Sequence, residues 1–286
     1  MSRRALIIGS TGLVAPALSG RLKELGWQTI HTARSDADHV HLDLREPDLS
    51  VLPDDMQAVF LIAAETSLRR CEDEPDSTER VNVLAPAAIA RHYSSAGAHI
   101  LTLSSSLVFD GSLPFAPPLL ARRPACAYGR QKARLEDILT GMPAPKTILR
   151  TTKIVESLAR LTTDWSRDLR ATKPIRPFID LVCAPVSLAR IVEILSYCAD
   201  QRLAGLFQHS GDRDIDYAVI ARALGQRMKV PEELIVPCRS ADLPVPPVVA
   251  PAHTTLSEAI PGGLTPQSPE DVPLVLGQFL DRYGAH

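Results

Sequence analysis

The segment ACAYGRQKARLED, residues 125–137, sets a phenol and an ammonium group four positions apart, at Tyr128 and Lys132. On a helix that spacing brings both side chains onto one face, with Cβ atoms roughly 5–6 Å apart. An ammonium beside a phenol favours the phenolate and draws the tyrosine pKa down from about 10. Such a tyrosine acts as a proton donor or acceptor near neutral pH. The competing reading is an exposed helix with two ordinary polar residues. Three serines, Ser104, Ser105 and Ser106, end the run HILTLSSS at 99–106. One of these hydroxyls is expected at the carboxyl edge of a sheet, where open α/β sheets bind ligands.

A glycine turn supplies the third signal. GSTGLVA, residues 9–15, follows the apolar run ALIIG and opens an amphipathic stretch. Gly9 permits the tight turn, and Gly12 lets the backbone approach a pyrophosphate. The exposed N–H groups from Thr11 to Val14, through Leu13, and the helix dipole would hold phosphates. Ala15 stands where a third glycine is common, and Pro16 falls in the first helical turn, where a missing N–H is tolerated. Arg34 and then Ser35 end the second apolar run. An arginine there accommodates a 2′-phosphate, so NADP(H) is expected; Asp36 would instead suit the ribose of NAD(H). Asp43 and Leu44 end a third run, and the carboxylate would accept from an adenine amino group.

The elements that must position these groups follow from periodicity. Strands are expected at 5–9, 27–34, 39–44, 58–64, 99–106 and 146–152, with helices at 13–26 and 76–97. Gly97 would end the second helix, and Pro86 would kink it. Strands alternating with helices imply parallel βαβ units. The fold class is therefore α/β, a Rossmann-type doubly wound parallel sheet with a smaller C-terminal substrate-binding lobe. The dinucleotide-binding core is placed at 1–155 and the lobe mainly at 156–286, with some segments returning to the core. Helices are expected at 186–200 and 216–228, a short strand at 206–210, and a terminal helix capped by Ser268. The proline-rich residues 231–269 read as an irregular surface segment.

Composition narrows the function. At 45% hydrophobic the 286-residue chain can bury a sizeable core. A net charge of −2 and only 5% aromatic residues disfavour nucleic acid as a partner. No apolar run reaches the length of a membrane span, and MSRRALIIGSTG lacks a signal-peptide pattern, so a cytoplasmic location is expected. Five scattered cysteines form no C-x-x-C pair and eight histidines show no ligand spacing, so no metal is expected. Arg122, Arg123 and Arg176 read singly as solvated arginines.

The chain resembles an extended short-chain dehydrogenase/reductase, and more closely the dTDP-4-dehydrorhamnose reductase branch, the sugar-nucleotide-binding reductases. The likeness rests on GSTGLVA, AAETSLRRCEDEPDSTERVNVLAP, LSSSLVFDG, YGRQK and ILRTTKIV. It covers residues 4–155 well and the remainder weakly. It implies a catalytic trio. Ser105 would bond the substrate carbonyl, Tyr128 would give a proton to the developing alkoxide, and Lys132 would hold the nicotinamide ribose. Ala63, Ala64 and Thr66 match a cofactor-lining loop, and Thr151 and Thr152 lie near nicotinamide and sugar. Ser106 and Leu107 depart from the family's Asp-Tyr, Glu65 from a small residue, Cys126 from an Asn and Lys153 from a frequent Trp. Ser105, Ser106, Cys126, Thr152 and Lys153 thus form the expected substrate side. The implied activity is NADPH-dependent reduction of a nucleotide-linked keto sugar of the 4-keto-6-deoxyhexose type. The alternatives are an NAD-dependent sugar-nucleotide epimerase or dehydratase, and a non-catalytic cofactor-binding regulatory subunit such as the branch's methionine adenosyltransferase β-subunit. The superfamily's common assembly, a homodimer, is carried over with the resemblance.

Overall fold

The computed structural model describes residues 3–35, 39–242 and 244–284. Its strands, in chain order, are β1 (Arg3–Ile8), β2 (Trp27–Ala33), β3 (Val40–His41), β4 (Ala58–Leu61), β5 (His99–Ser105), β6 (Lys146–Thr151), β7 (Val182–Cys183), β8 (Gly205–His209) and β9 (Ile215–Asp216). Seven form one parallel sheet in the order β3-β2-β1-β4-β5-β6-β8; β7 and β9 pair antiparallel by themselves. The strand order reverses between β1 and β4. The carboxyl ends of these two strands therefore flank the crevice in which doubly wound sheets bind ligands.

Helices α1 (Ala15–Glu24) and α7 (Leu188–Asp200) cover one face, packing Leu18, Leu22, Ile191 and Ile194 against Ile7, Phe60 and Leu101. Helices α4 (Ala85–Ser94) and α5 (Ala127–Thr140) cover the other, packing Ile89, Tyr93, Leu135 and Leu139 against Leu6, Val59 and Ile148. The central strands are buried on both faces, which is why they read as continuous apolar runs. A separate core lies among α6 (Ala159–Arg170), α8 (Tyr217–Met228) and α9 (Val272–Leu280), built on Trp165, Leu169, Ile220, Leu224 and Phe279. Between the two, β8 and α7 belong to the main sheet although they come late in the chain.

Several expected elements differ. The strand expected at 39–44 is only Val40–His41, an edge pairing of two residues. The helix expected at 76–97 is three pieces. Beyond a short α2 (Leu68–Asp73), they are α3 (Pro75–Glu79), a π turn at Arg80–Leu84 and α4, which runs to Ser94. The π turn lies just before Pro86, in the first turn of α4, and accommodates the donor that proline lacks. Gly97 does close the segment, with φ +73°. The cap of the terminal helix is Asp271, whose carboxylate accepts from the Leu274 N–H, and not Ser268. Residues 231–269 are irregular but not confined to the surface, since Thr255, Leu256 and Leu264 are buried. Asp36 lies outside the described residues. No helix of the described residues is long and apolar enough to cross a membrane.

Candidate active site

The glycine turn sits where β1 meets α1. Gly9 has φ +92°, and a Cβ added there would lie 2.5 Å from the Ala63 Cβ, so the loop after β4 requires this glycine. No side chain caps the N-terminus of α1. Its first-turn N–H groups therefore remain available to an anion.

A cavity of about 770 Å³ opens beside this turn. Gly9, Thr11, Gly12, Leu13, Val14, Ala63, Ala64 and Thr66 line one part of it. Ser105, Ser106, Tyr128, Lys132, Thr151, Thr152 and Lys153 line the rest. A smaller cavity of about 270 Å³ shares Gly9, Thr11, Ala63 and Ala64, and is completed by Arg34, Ser35, Asp43, Leu44, Arg45 and Arg70. These cavities adjoin at the switch point, and the larger one reaches the Tyr128 helix.

The start of α5 is shaped by contact. Cys126 Sγ accepts from the Gly129 N–H at 3.4 Å and so caps the helix. A Cβ on Gly129 would lie 2.1 Å from the Leu107 carbonyl oxygen. Only glycine lets the helix lie this close to the turn that follows Ser105, which answers why a glycine stands between Tyr128 and Lys132. The Lys132 Nζ donates to the Leu103 carbonyl at 3.1 Å and lies 5.6 Å from the centroid of the Tyr128 ring. Deeper along α5, Glu136 takes two hydrogen bonds from Arg150 of β6, at 2.9 and 2.7 Å, in a pair almost fully buried. Ser104 Oγ donates to the same carboxylate at 2.5 Å. Its hydroxyl is thereby used, and Ser105 and Ser106 are the serines left to the cavity.

Protonation departs from the simple expectation. Burial pushes the Tyr128 phenol above its usual value, and the nearby Cys71 and Cys126 push the same way. Lys132 does not draw it down, because desolvation of the phenolate dominates. Tyr128 is therefore held as a neutral acid. Burial also lowers Lys132 to about 8, against the opposing charge of Glu136.

Other expected site residues are placed differently. Cys126 is buried at the helix cap and does not line either cavity, because its thiol is spent on the backbone. Thr152 lines the cavity, but its hydroxyl donates to the Ala184 carbonyl. Asp43 is clasped by Arg45, whose Nε donates to both carboxylate oxygens at 3.0 Å. Those hydrogen bonds hold Asp43 at about 2, an ionised acceptor already occupied. Arg122 is not simply solvated, since it bridges Glu136 and Asp137. Thr151 Oγ1, by contrast, is buried at the cavity without a protein partner. The open helix terminus, the obligatory Gly9 and this orphaned hydroxyl fit a bound dinucleotide.

Sequence reasoning missed a second layer. Asn82, in the π turn, accepts from the Glu65 N–H at 2.8 Å and donates to the Glu65 carbonyl at 3.0 Å. It also donates to Gln131 Oε1 at 2.7 Å, and Gln131 donates to Thr78 Oγ1 at 2.9 Å. The loop after β4 is thus tied to α5 beside Lys132. The available signal was an asparagine in an otherwise apolar helical run, VNVLAP. Arg45 and Arg70 were also missed, and nothing in their local pattern marks them.

The model of the RmlD substrate binding domain matches residues 3–263 of this chain. The chain belongs to this family. It is the dTDP-4-dehydrorhamnose reductase branch that the motifs resemble, within the extended short-chain dehydrogenases/reductases. Among solved structures, the family fold is shared with dTDP-4-dehydrorhamnose reductase from Yersinia enterocolitica, at TM-score 0.82 and 23% identity, covering 98% of this chain and 99% of that one. The enzyme of the same name from Bacillus anthracis, in complex with NADP, matches at TM-score 0.79 and 18% identity over 99% of both chains. UDP-glucose 4-epimerase from Thermus thermophilus, in complex with NAD, matches at TM-score 0.76 and 15% identity, covering 96% of this chain and 98% of that one. At these identities the likeness establishes the fold. The β-subunit of methionine adenosyltransferase 2 from Mus musculus is 31% identical over 137 residues, 46% of this chain and 41% of that one. The match thus spans about two-fifths of the length of that curated relative.

Proposed function

We propose that the protein is an NADPH-dependent reductase of a carbonyl on a nucleotide-linked keto sugar. The observation that carries this reading is the meeting of Ser105, Tyr128 and Lys132 with the glycine turn around one cavity. Gly9, Thr11, Gly12, Leu13 and Val14 would hold the pyrophosphate, Ala63, Ala64 and Thr66 the adjoining parts, and Thr151 and Lys132 the nicotinamide half. Arg34 lines the smaller cavity where a 2′-phosphate would lie, while Arg45 and Arg70 beside it are paired with Asp43 and Glu65. When bound, a nicotinamide cofactor would supply the hydride for the carbonyl carbon. Ser105 Oγ orients the carbonyl oxygen by donating to it. Tyr128 Oη, kept protonated by burial, transfers its proton to that oxygen, and the product is the alcohol. Residues 1–155 would carry the cofactor and 156–286 most of the substrate.

The test is NADPH oxidation, followed by absorbance, against nucleotide-linked 4-keto-6-deoxy sugars. Turnover by the wild type that disappears in Tyr128→Phe, with NADPH binding kept, is the expected result. Turnover retained by Tyr128→Phe overturns the acid role. NADPH is expected to bind more tightly than NADH, with the preference reduced in Arg34→Ala; equal affinities in the wild type overturn the NADP(H) assignment. An epimerase would instead interconvert sugars without net cofactor oxidation. The likeness to a methionine adenosyltransferase subunit favours one further reading, a cofactor-binding regulatory subunit. Tight NADPH binding with no turnover of the panel would shift the reading there.

A further inference from the structure

Two cationic side chains, Lys132 and Lys153, line the large cavity among the described residues, and no carboxylate does. Lys132 is buried and donates to the Leu103 carbonyl. Lys153 is different. It stands two residues beyond β6, and its backbone is pinned, with the Val186 N–H donating to the Lys153 carbonyl at 2.9 Å. Its side chain is exposed into the cavity, beside the Tyr217 hydroxyl. Among the described residues no carboxylate lies within ion-pairing distance of it, whereas Arg150 and Arg167 on the same stretch of chain are paired. The same cavity is lined by the apolar side chains of Leu181, Val182, Pro247, Val248 and Pro251. An ammonium facing a cavity of low polarity attracts an anion more strongly than it would in water. An apolar wall beside it suits a ligand whose other surface is not charged.

We propose that Lys153 is a specificity-determining residue that receives an anionic oxygen group of the substrate, so that this site takes carbonyl compounds carrying a phosphate or carboxylate. This rests on the reductase reading for the carbonyl, but not for the anion. The two sources of the anion are the diphosphate of a nucleotide-linked sugar and a carboxylate on the carbonyl compound itself.

The experiment measures binding to the NADPH-loaded protein by calorimetry, so that it reports whether or not turnover occurs. The probes are dTDP against thymidine, and 4-oxocyclohexanecarboxylate against its methyl ester. The wild type is expected to prefer the charged member of at least one pair, and the pair that shows it names the source. In Lys153→Met that preference should fall roughly 10–100-fold, the scale of a hydrogen bond to a charged group. Lys153→Arg should restore part of it, and NADPH affinity should hold in both variants. No charge preference in the wild type, or a preference unaltered in Lys153→Met, overturns the proposal. Weaker NADPH binding in Lys153→Met also overturns it, by assigning the lysine to the cofactor. Absence of turnover by the wild type would sink the reductase reading alone.

Discussion

Asn82→Ala tests whether the π turn positions the cofactor loop. Asn82 is 1% exposed, and its amide makes three hydrogen bonds at 2.7–3.0 Å, two to the Glu65 peptide and one to Gln131. Truncation removes all three and strands the Glu65 N–H, the Glu65 carbonyl and Gln131 Oε1, the last in a region closed to water. At a net worth of 0.5–1.5 kcal/mol each, the loss is roughly 3 kcal/mol. An unfolding entropy of about 2.1 cal/mol/K per residue over 286 residues converts this to a fall in Tm of about 5 °C. A second effect separates positioning from mere stability. Glu65 directly follows Ala63 and Ala64, which line both cavities. Loosening that peptide should weaken NADPH binding at a temperature where the variant is fully folded. Asn82→Asp keeps the volume but turns acceptors toward the Glu65 carbonyl, and should be no better. Thermal scans with and without NADPH, together with a fluorescence titration of NADPH, measure both effects. A Tm within about 1 °C of wild type and an unchanged NADPH affinity would refute the reasoning.

Three other outcomes are expected. Gly9→Ala places a Cβ at φ +92° and 2.5 Å from Ala63, so it should cost about 1–3 kcal/mol and abolish NADPH binding; denaturation and titration check this. Lys132 is charged below about pH 8 and neutral above it, so turnover that needs its ammonium should decline as pH rises through about 8, visible in a pH–rate profile. His209 is fully buried, with its ring nitrogens 2.8 Å from Glu258 and 3.0 Å from Glu270. Burial opposes its charge, but the two carboxylates outweigh burial and raise its pKa. Its stabilising contribution is therefore complete below about pH 6.5 and is lost as pH rises through the higher native value. His209→Gln should lower Tm in acid and remove that part of the pH dependence; a wild-type Tm that is flat across this range would contradict the charged triad.

Hydrophobic periodicity and the glycine turn were enough to determine the α/β architecture, the strand-to-helix glycine turn and the Tyr128–Lys132 helix. These are local properties: a buried parallel strand is a run of apolar residues, and a phosphate loop is a short string of small ones. Periodicity could not show that the helix after β4 breaks into a π turn, because one turn of i→i+5 bonding over Arg80–Leu84 barely shifts a 3.6-residue pattern. Spacing alone left three adjacent serines equivalent, and only the family resemblance singled out Ser105. Tertiary structure separated them, because Glu136 and Arg150 meet beneath the strand and consume Ser104. Cys126 and Asp43 were plausible ligand residues by position, yet a helix cap takes the thiol and Arg45 takes the carboxylate. The sign of the Tyr128 shift was likewise out of reach. Spacing places a cation near the phenol, but burial is a property of the whole molecule, and desolvation sets the direction of the shift. Sequence thus determined the main elements and the candidate residues they carry. The tertiary structure decided which polar groups are already satisfied, because that depends on partners far apart along the chain.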